Sequence, residues 1–470
     1  MSELWQALHP HLGFWLPWLW AAYLFWLAGW IVLQKREPIA TLSWIMSLAL
    51  LPVLGLVIYH FLGPQRIRRQ RLKRLRSRER LDPVGEDATH AAPSSPLMRL
   101  AQGSSSFLPS HCDSVQLLVN GTATFDALSD AIANARLHVH LEYYIFEPDR
   151  TGTRLRDALA ERARAGVKVR LLLDGLGSAK ASGTFLEPLR AAGAEVVYFH
   201  RFALYRLWRP ILNLRSHRKI VIIDGHIGFT GGINITDAEN ESVRADAYHD
   251  LHLRMEGQAV RWLQLAFAED WTYASSHIPK GPGLWPALAP GAIRTQILPA
   301  GPDSPWETIH RVMLAAIHQA RHRVWLTTPY FVPGEAARMA LTSAALRGLD
   351  VRVLVPKQSD SRLVSAAARS YFEELMAAGV RVFQYPSMLH TKALLVDEDT
   401  CILGSSNFDN RSFRLNFELC VLFEDAGVAA DLETVMTRDL AAAKAVTGPR
   451  RLSFLPRLAE ALARLLSPLL

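Results

Sequence analysis

Cysteine is scarce: Cys112, Cys401 and Cys420 are the three in a chain of 470 residues. An odd number without paired spacing argues against a disulfide framework and a cysteine-built metal centre, and fits a reducing compartment for the body of the protein. Net charge is also scarce outside one place. The formal net charge is +8, and residues 66 to 80, with nine basic residues and the acidic Glu79, carry all of that excess. The remainder is close to neutral, which argues against nucleic acid as the partner, since a nucleic-acid enzyme spreads positive charge over its working surface. From Leu12 to Leu33 there is no charge in 22 residues, five of them tryptophan. Leu42 to Leu62 is a second such run, with Pro52, Gly55 and His60 as its soft spots. The first run lacks the basic leader of a cleaved signal peptide and is followed at once by the second.

Each apolar run is long enough to span a bilayer, so residues 1–62 read as a two-helix transmembrane hairpin turning at Gln34 to Thr41. The turn holds Lys35 and Arg36 against the nine basic residues that follow the hairpin, which places the N-terminus, this basic collar and the body in the cytoplasm. The collar also suits anionic lipid headgroups. Residues 63–100 are collar and linker, with Asp, Gly, Ala, Ser and Pro gathered between Leu81 and Pro96. A second break, rich in proline and glycine, runs from His277 to Pro302 and divides the body into residues 101–292 and 293–450. The tail, 451–470, sets Leu455, Leu458, Leu462, Leu465, Leu466 and Leu469 on one helical side. That helix could lie on a membrane or pack on the body.

What the body does have is a pattern present twice. His217-Arg218-Lys219 is followed by Asp224 and Gly231-Gly232-Ile233-Asn234; His390-Thr391-Lys392 is followed by Asp397 and Gly404-Ser405-Ser406-Asn407. In both copies the histidine precedes Lys by 2, Asp by 7, Gly by 14 and Asn by 17. The flanks repeat as well. Ala131-Ile132, Ala135-Arg136, Val139 and Leu141 recur 185 residues later as Ala316-Ile317, Ala320-Arg321, Val324 and Leu326. Each half reads helix, strand, helix, strand, helix, strand and then the strand of the motif, with short Val-, Ile- and Leu-rich strands: a helix-covered sheet made twice. The spacing from Gly193 to His217 is 24 against 11 from Gly379 to His390, so the first half holds about 13 extra residues. They fall near Arg201-Phe202-Ala203-Leu204-Tyr205-Arg206-Leu207-Trp208-Arg209, which suits either a headgroup-level surface or a packed loop.

Two histidines and two lysines suit phosphodiester chemistry through a phospho-histidine. Imidazole is a nucleophile near neutral pH and also a general acid or base, and a phosphodiester needs one group to attack phosphorus and another to protonate the leaving oxygen. A lysine two residues on falls on the same face of a strand, where it can neutralise phosphoryl oxygens. The small-residue turns let backbone N–H groups approach phosphate, with Ser405, Ser406, Asn234 and Asn407 as added donors. Asp224 and Asp397 end their strands, so a turn-stabilising role is at least as good a reading as a chemical one. His249 and His252 around Asp250 read as ordinary strand residues in preference to a metal cluster.

On these residues the chain resembles the phospholipase D superfamily, whose signature is the doubled His-Lys-Asp motif. Within it, the chain resembles the bacterial cardiolipin synthases with two N-terminal membrane helices. Further matches are Arg36-Glu37-Pro38 leading to Thr41 and Trp44, Glu142-Tyr143-Tyr144-Ile145, Asn213-x-Arg215 before the first motif, Phe408-Asp409-x-Arg411-Ser412 and Asn416-x-Glu418. Gly232 stands where the superfamily usually has Ser. The resemblance implies an α/β fold of two tandem phospholipase D-like domains, each a mixed sheet flanked by helices, related by a pseudo-two-fold axis. It implies transphosphatidylation without metal or other cofactor. One phosphatidylglycerol is attacked by His217, and His390 protonates the departing glycerol and then activates a second phosphatidylglycerol. His217, Lys219, Asp224, His390, Lys392 and Asp397 are then catalytic; Arg215, Asn234, Ser405, Ser406 and Asn407 bind substrate; Asp250 and Glu418 orient the histidines. The expected partners are phosphatidylglycerol and anionic membrane lipids, not nucleic acid. The expected place is the bacterial cytoplasmic (inner) membrane, with the catalytic domains facing the cytoplasm. The residues leave open a hydrolase releasing phosphatidate, other donor or acceptor lipids, a tethered nuclease and a non-catalytic lipid-binding scaffold. No motif speaks to oligomeric state.

Overall fold

The structure, a computed structural model, describes residues 2–33, 38–51, 54–55, 59, 95–105, 107–200, 214–448, 450 and 453–467. The chain forms two units, residues 1–66 with 204–213 and residues 67–203 with 214–470. In the first unit, helices run over Ser2–Val32 and Pro38–Leu50. Leu27, Ile31 and Leu48 are buried together there, whereas Trp18, Phe25 and Trp26 are exposed. Among the described residues no helix is long and apolar enough to cross a membrane. In the second expected span the helix Pro38–Leu50 covers 13 residues, and Leu54, Gly55 and Tyr59 are also helical. The basic collar and the insertion at 201–213 lie outside the described residues.

The second unit carries the strands β1 (Ser110–Cys112), β2 (Ser114–Val119), β3 (His138–Tyr143), β4 (Lys168–Asp174), β5 (Glu195–Phe199), β6 (Ile220–Ile223), β7 (Ile227–Gly231) and β8 (Leu251–Glu256). They are followed by β9 (Ile293–Ala300), β10 (Arg323–Thr327), β11 (Phe331–Val332), β12 (Asp350–Pro356), β13 (Arg381–Tyr385) and β14 (Ala393–Val396). The last are β15 (Thr400–Gly404), β16 (Phe408–Asp409), β17 (Glu418–Glu424) and β18 (Lys444–Ala445). One sheet has the order β2-β8-β7-β6-β3-β4-β5; the other has β9-β17-β15-β14-β10-β12-β13 flanked by β1 and β18. Position by position the two orders are the same. In each, three parallel strands (β3-β4-β5, β10-β12-β13) adjoin an antiparallel group through the motif strand, β6 or β14. The duplication predicted from the sequence is thus a duplication of sheet topology.

Two boundaries shift from the sequence reading. The helix Pro96–Ser105 buries Leu97, Met98 and Ala101 in the second half's core, and β1 pairs with β9, Ser110 opposite Thr295. The first sheet therefore begins at Ser114, not near residue 101. The break from His277 to Pro302 also contains β9 as its last part, so only its first part connects the halves.

The motif strands are apolar throughout because both faces are covered. Val221 and Ile223 pack with Phe125, Leu128 and Leu159 in the first half's outer core, whereas Ile220 and Ile222 face a central core. Leu394 and Val396 likewise face Val312, Leu341 and Val353, and Leu395 faces the centre. That alternation is the period of two of an extended chain. The central core is common to both sheets and encloses the helices Ala259–Ser275 and Ala426–Ala442, each packed against strands of both. Burying those two helices between the sheets holds the halves together.

The hairpins after the motif strands are built identically. Asp224 and Asp397 adopt left-handed backbone, φ 52° in each, which an aspartate tolerates better than most residues. The Asp224 carboxylate accepts the N–H groups of Arg136, Leu137 and His138, each at 2.8 Å. Asp397 accepts those of Arg321, His322 and Arg323 at 2.9, 2.9 and 3.1 Å. Each aspartate thus ties its hairpin to the start of the adjacent antiparallel strand, β3 or β10.

Arg218, fully buried, crosses between the halves. It forms an ion pair with Asp270 and donates to the carbonyls of Glu418 (3.1 Å) and Ala300 (3.2 Å). Its counterpart in the second motif is Thr391, so this clamp exists once. Arg218→Met, which leaves the Asp270 carboxylate buried without its guanidinium, is expected to lower stability by ~3–5 kcal/mol. Adding Asp270→Leu should recover most of the loss. Thermal unfolding of both variants checks this; a single variant as stable as the parent would refute the clamp.

Candidate active site

The segments that enter β6 and β14 cross to the opposite half before they join their own sheets. Ser216 forms a parallel bridge with Phe417, and Leu389 forms one with His249. His217 N–H donates to the Phe417 carbonyl at 2.8 Å, and His390 N–H to the His249 carbonyl at 2.6 Å. Each histidine is therefore laid beside the residue that precedes the other half's candidate acid. His217 Nδ1 lies 2.9 Å from Glu418 Oε2, and His390 Nδ1 lies 2.6 Å from Asp250 Oδ2. Glu418 and Asp250 are the two acids that the resemblance implies, and each lies against the histidine of the opposite half.

At His217 the geometry sets the tautomer. Nδ1 also lies 3.1 Å from the carbonyl oxygen of Ser405, so both of its neighbours are acceptors and it carries the proton. Nε2 is left with a lone pair in the cleft. Burial lowers the imidazole pKa, against the pull of Glu418, and favours the neutral ring. Burial alone would raise Glu418, but His217, Lys219 and the Ser405 hydroxyl overcome it and hold the carboxylate below its ordinary range. Ser405 Oγ donates to Glu418 Oε2 at 2.5 Å, and Asn416 Nδ2 donates to Oε1 at 3.1 Å.

His390 has a different shell. Asp250 is pushed up to about 6 by burial, and Glu239, also raised by burial, lies 3.8 Å from His390 Nδ1. Burial and then Lys392 drive the His390 pKa well down. Among the described residues Glu239, Asp250 and His390 are the grouping with metal-site spacing, their ligand atoms within 4.8 Å of one another. Those atoms already have partners: Glu239 accepts Asn234 N–H (2.8 Å) and Nδ2 (2.7 Å), and Asp250 holds His390. Among the described residues, His249 and His252 are not part of that grouping. His249 Nε2 lies 2.9 Å from Asp439 and its ring stacks on Tyr385, while His252 is buried and held neutral, its pKa lowered to about 3 by burial.

Both lysines turn back beneath their own histidines. Lys219 Nζ donates to the His217 carbonyl at 2.9 Å and Lys392 Nζ to that of His390. Burial lowers both pKa values, Lys219 to about 8, with Lys392 next to it as the second cause.

The two histidines line one cleft of about 620 Å³. Arg215, Asn234 and Asn407 line it as the sequence reading expects. The Arg215 guanidinium is buried; among the described residues Nε and Nη1 have no hydrogen-bond partner, and Asp174 Oδ1 lies 3.9 Å from Nη1. Such a cation suits a phosphate oxyanion. Ser405 and Ser406 do not line the cleft. The Ser405 hydroxyl is used by Glu418, and Ser406 Oγ donates to the Asn407 carbonyl at 3.2 Å. Asp224 and Asp397 do not line the cleft; they lie in their hairpins, where their carboxylates accept backbone N–H groups.

Residues 128–271 and 313–440 match the family model described as cardiolipin synthase, phospholipase D-like domain, once in each half. This chain belongs to the cardiolipin synthase family of the phospholipase D superfamily. It is 35% identical to cardiolipin synthase 1 of Bacillus anthracis over 96% of this chain and 93% of that one. It is 37% identical to the cardiolipin synthase of Geobacillus kaustophilus over 94% and 91%. The crystal structure of phosphatidylserine synthase from Haemophilus influenzae Rd KW20 superposes with a TM-score of 0.60 over 80% of this chain and 100% of that one; at 13% identity it shows the shared fold alone.

In this member of the cardiolipin synthase family, the glycine of the first motif has a steric cause. A Cβ on Gly232 would stand 2.3 Å from Asp250 Oδ1, so the short Asp250 approaches where a serine side chain would be. The second motif uses the longer Glu418 and has room for Ser405. Glu239 escapes the sequence reading because the repeat does not mark it: its counterpart, five residues after the second asparagine, is Ser412. Tyr144 also escapes, its ring edge-on to His217 at 4.9 Å, although it lies in a matched segment. Nitrogen-15 NMR of labelled histidine is expected to show His217 neutral at pH 7 with its proton on Nδ1. In Glu418→Gln it should titrate lower still, because the carboxylate that favours the imidazolium is gone; an unchanged or higher pKa would refute the pairing.

Proposed function

We propose that the protein is a cardiolipin synthase that joins two phosphatidylglycerol molecules through a phosphatidyl-histidine. The observation that carries this reading is the pair of buried histidines on one cleft, one of them with Nδ1 protonated between two acceptors and Nε2 available. His217 Nε2 attacks the phosphorus of the first lipid; a P–N bond forms and the P–O bond to glycerol breaks. His390, protonated when the anionic phosphodiester enters, gives its proton to the departing glycerol oxygen. The headgroup hydroxyl of a second phosphatidylglycerol then gives its proton to His390 and attacks phosphorus, and the P–N bond breaks to leave cardiolipin. Glu239 behind His390 favours its cationic form, which suits the acid–base role, but burial and Lys392 outweigh it until the phosphodiester enters, so both rings rest neutral before substrate binds. Arg215, Lys219 and Lys392 supply positive charge around the phosphoryl group.

Purified protein given phosphatidylglycerol alone, with chelator, is expected to yield cardiolipin and glycerol, and His217→Ala to lose ~10⁴-fold or more of that activity. Phosphatidate without cardiolipin would make the enzyme a hydrolase instead. The pH profile follows from Lys219. Its ammonium is charged below about 8 and neutral above, so kcat/KM falls as pH rises through that value. On the acid side His217 stays neutral below the usual imidazole range. A profile flat to pH 9.5 would remove the Lys219 charge from the chemistry.

The membrane reading is part of the same proposal: residues 1–62 form a two-helix anchor in a bacterial inner membrane, with the catalytic halves on the cytoplasmic side. Its support is the uncharged length of Leu12–Leu33 and Leu42–Leu62 and the nine basic residues that follow them. Removing residues 1–62 should weaken activity on vesicles more than on detergent-dispersed lipid; equal loss on both would sink the anchor.

A further inference from the structure

The C-terminal helix, Phe454–Leu465, is tied to the catalytic unit along one side only. Glu460 is buried and accepts from Arg369 at 3.0 Å and from Arg450 at 2.7 Å. Ala463 is buried in the second half's core. Ser467, just beyond the helix, meets the Tyr371 hydroxyl at 2.7 Å, and its carbonyl accepts from Asn410 Nδ2 at 3.2 Å. The opposite side carries Phe454 and Leu455, both 74% exposed, with Leu458, Leu462, Leu465 and Leu466 also exposed. Spacings of three, four and seven residues put these side chains on one stripe. The acid of this helix, Glu460, is turned inward and paired, while Arg457 lies exposed beside the stripe. The neighbouring helix, Arg362–Arg369, packs against this one and also exposes Arg362 and Leu363. Val364 of that helix lines the cleft, as do Asp409 and Arg411 on either side of Asn410.

We infer that this stripe is a membrane-docking face whose occupant is an anionic bilayer surface. An apolar stripe with an exposed arginine beside it, the helix's own acid Glu460 turned inward and Arg464 paired with Glu374 on the body, is the composition of a helix lying in the headgroup region of anionic lipid. Because the opposite side is pinned beside the rim of the cleft, docking brings the cleft to headgroup depth. There a lipid phosphodiester can enter without the whole lipid leaving the bilayer. The inference rests on the lipid substrate proposed above, but the docking can be tested without catalysis.

The three native cysteines are buried, so a single introduced thiol can be labelled selectively. Full-length Leu458→Cys and Leu462→Cys would carry an environment-sensitive fluorophore. Leu346→Cys would serve as control, since Leu346 is exposed and precedes β12, at the end of that strand away from the cleft. In vesicles of phosphatidylglycerol and phosphatidylcholine, the probes at 458 and 462 are expected to shift to the blue and to be quenched by shallow nitroxide lipids, while the probe at 346 does neither. Solvent-like emission at both helix positions in vesicles would overturn the inference. So would a blue shift that appears equally in lipid-free detergent together with a doubled mass in light scattering, which would assign the stripe to a second copy of the chain. A Leu455→Ser, Leu458→Ser, Leu462→Ser variant is expected to lose about tenfold in cardiolipin formation on vesicles and to keep its rate on detergent-dispersed lipid. Equal rates on vesicles would also overturn the docking role. Loss of product on both substrates with the probe shifts intact would leave the face standing and count against the proposed reaction.

Discussion

Each histidine of the active site is held by a carboxylate from the opposite half, and the rest of the molecule is arranged so that these two crossed pairs can form. Glu418 reaches His217 because Phe417 is bridged to the strand that delivers His217; Asp250 reaches His390 because His249 is bridged in the same way. Neither half contains a complete site. The helices Ala259–Ser275 and Ala426–Ala442, enclosed between the sheets, and the buried Arg218–Asp270 pair therefore bear on the chemistry as much as on stability. A shift of an ångström between the sheets would break a hydrogen bond at Nδ1 and free the imidazole to turn.

Burying this many ionisable groups together is tolerable because their charges are interleaved. Lys219 and Lys392 lie among Glu418, Asp250 and Glu239, and their ammonium groups also find the carbonyls of the histidines themselves. Burial lowers the lysine pKa values and raises those of Asp250 and Glu239. An entering phosphodiester adds a negative charge and favours the protonated forms of His390 and the lysines.

Duplication supplied two similar histidines, and small departures from symmetry make them unlike. His217 faces Glu418 with Ser405; His390 faces Asp250, Gly232 and Glu239. A longer acid with a serine and a shorter acid without one fill the same space. The added Glu239 places a second carboxylate behind one histidine only.

The sequence by itself determined the chemistry available and the repeated fold. Motif spacing names His217, Lys219, His390 and Lys392, and the alternation of apolar residues names β6 and β14, because both are local patterns that the chain carries whatever its surroundings. Asp250 and Glu418 were legible only through resemblance, and Glu239 was not legible, since its counterpart Ser412 breaks the repeat. Asp224 and Asp397 share the motif spacing yet serve as hairpin ties; spacing shows that a residue recurs and not what it touches. The tertiary structure alone decided that each acid serves the other half's histidine, and that β1 and the helix before it belong to the second sheet. The physical reason is that these pairings span from 140 to 201 residues of chain and are set by how two sheets bury a common core, which no local period encodes.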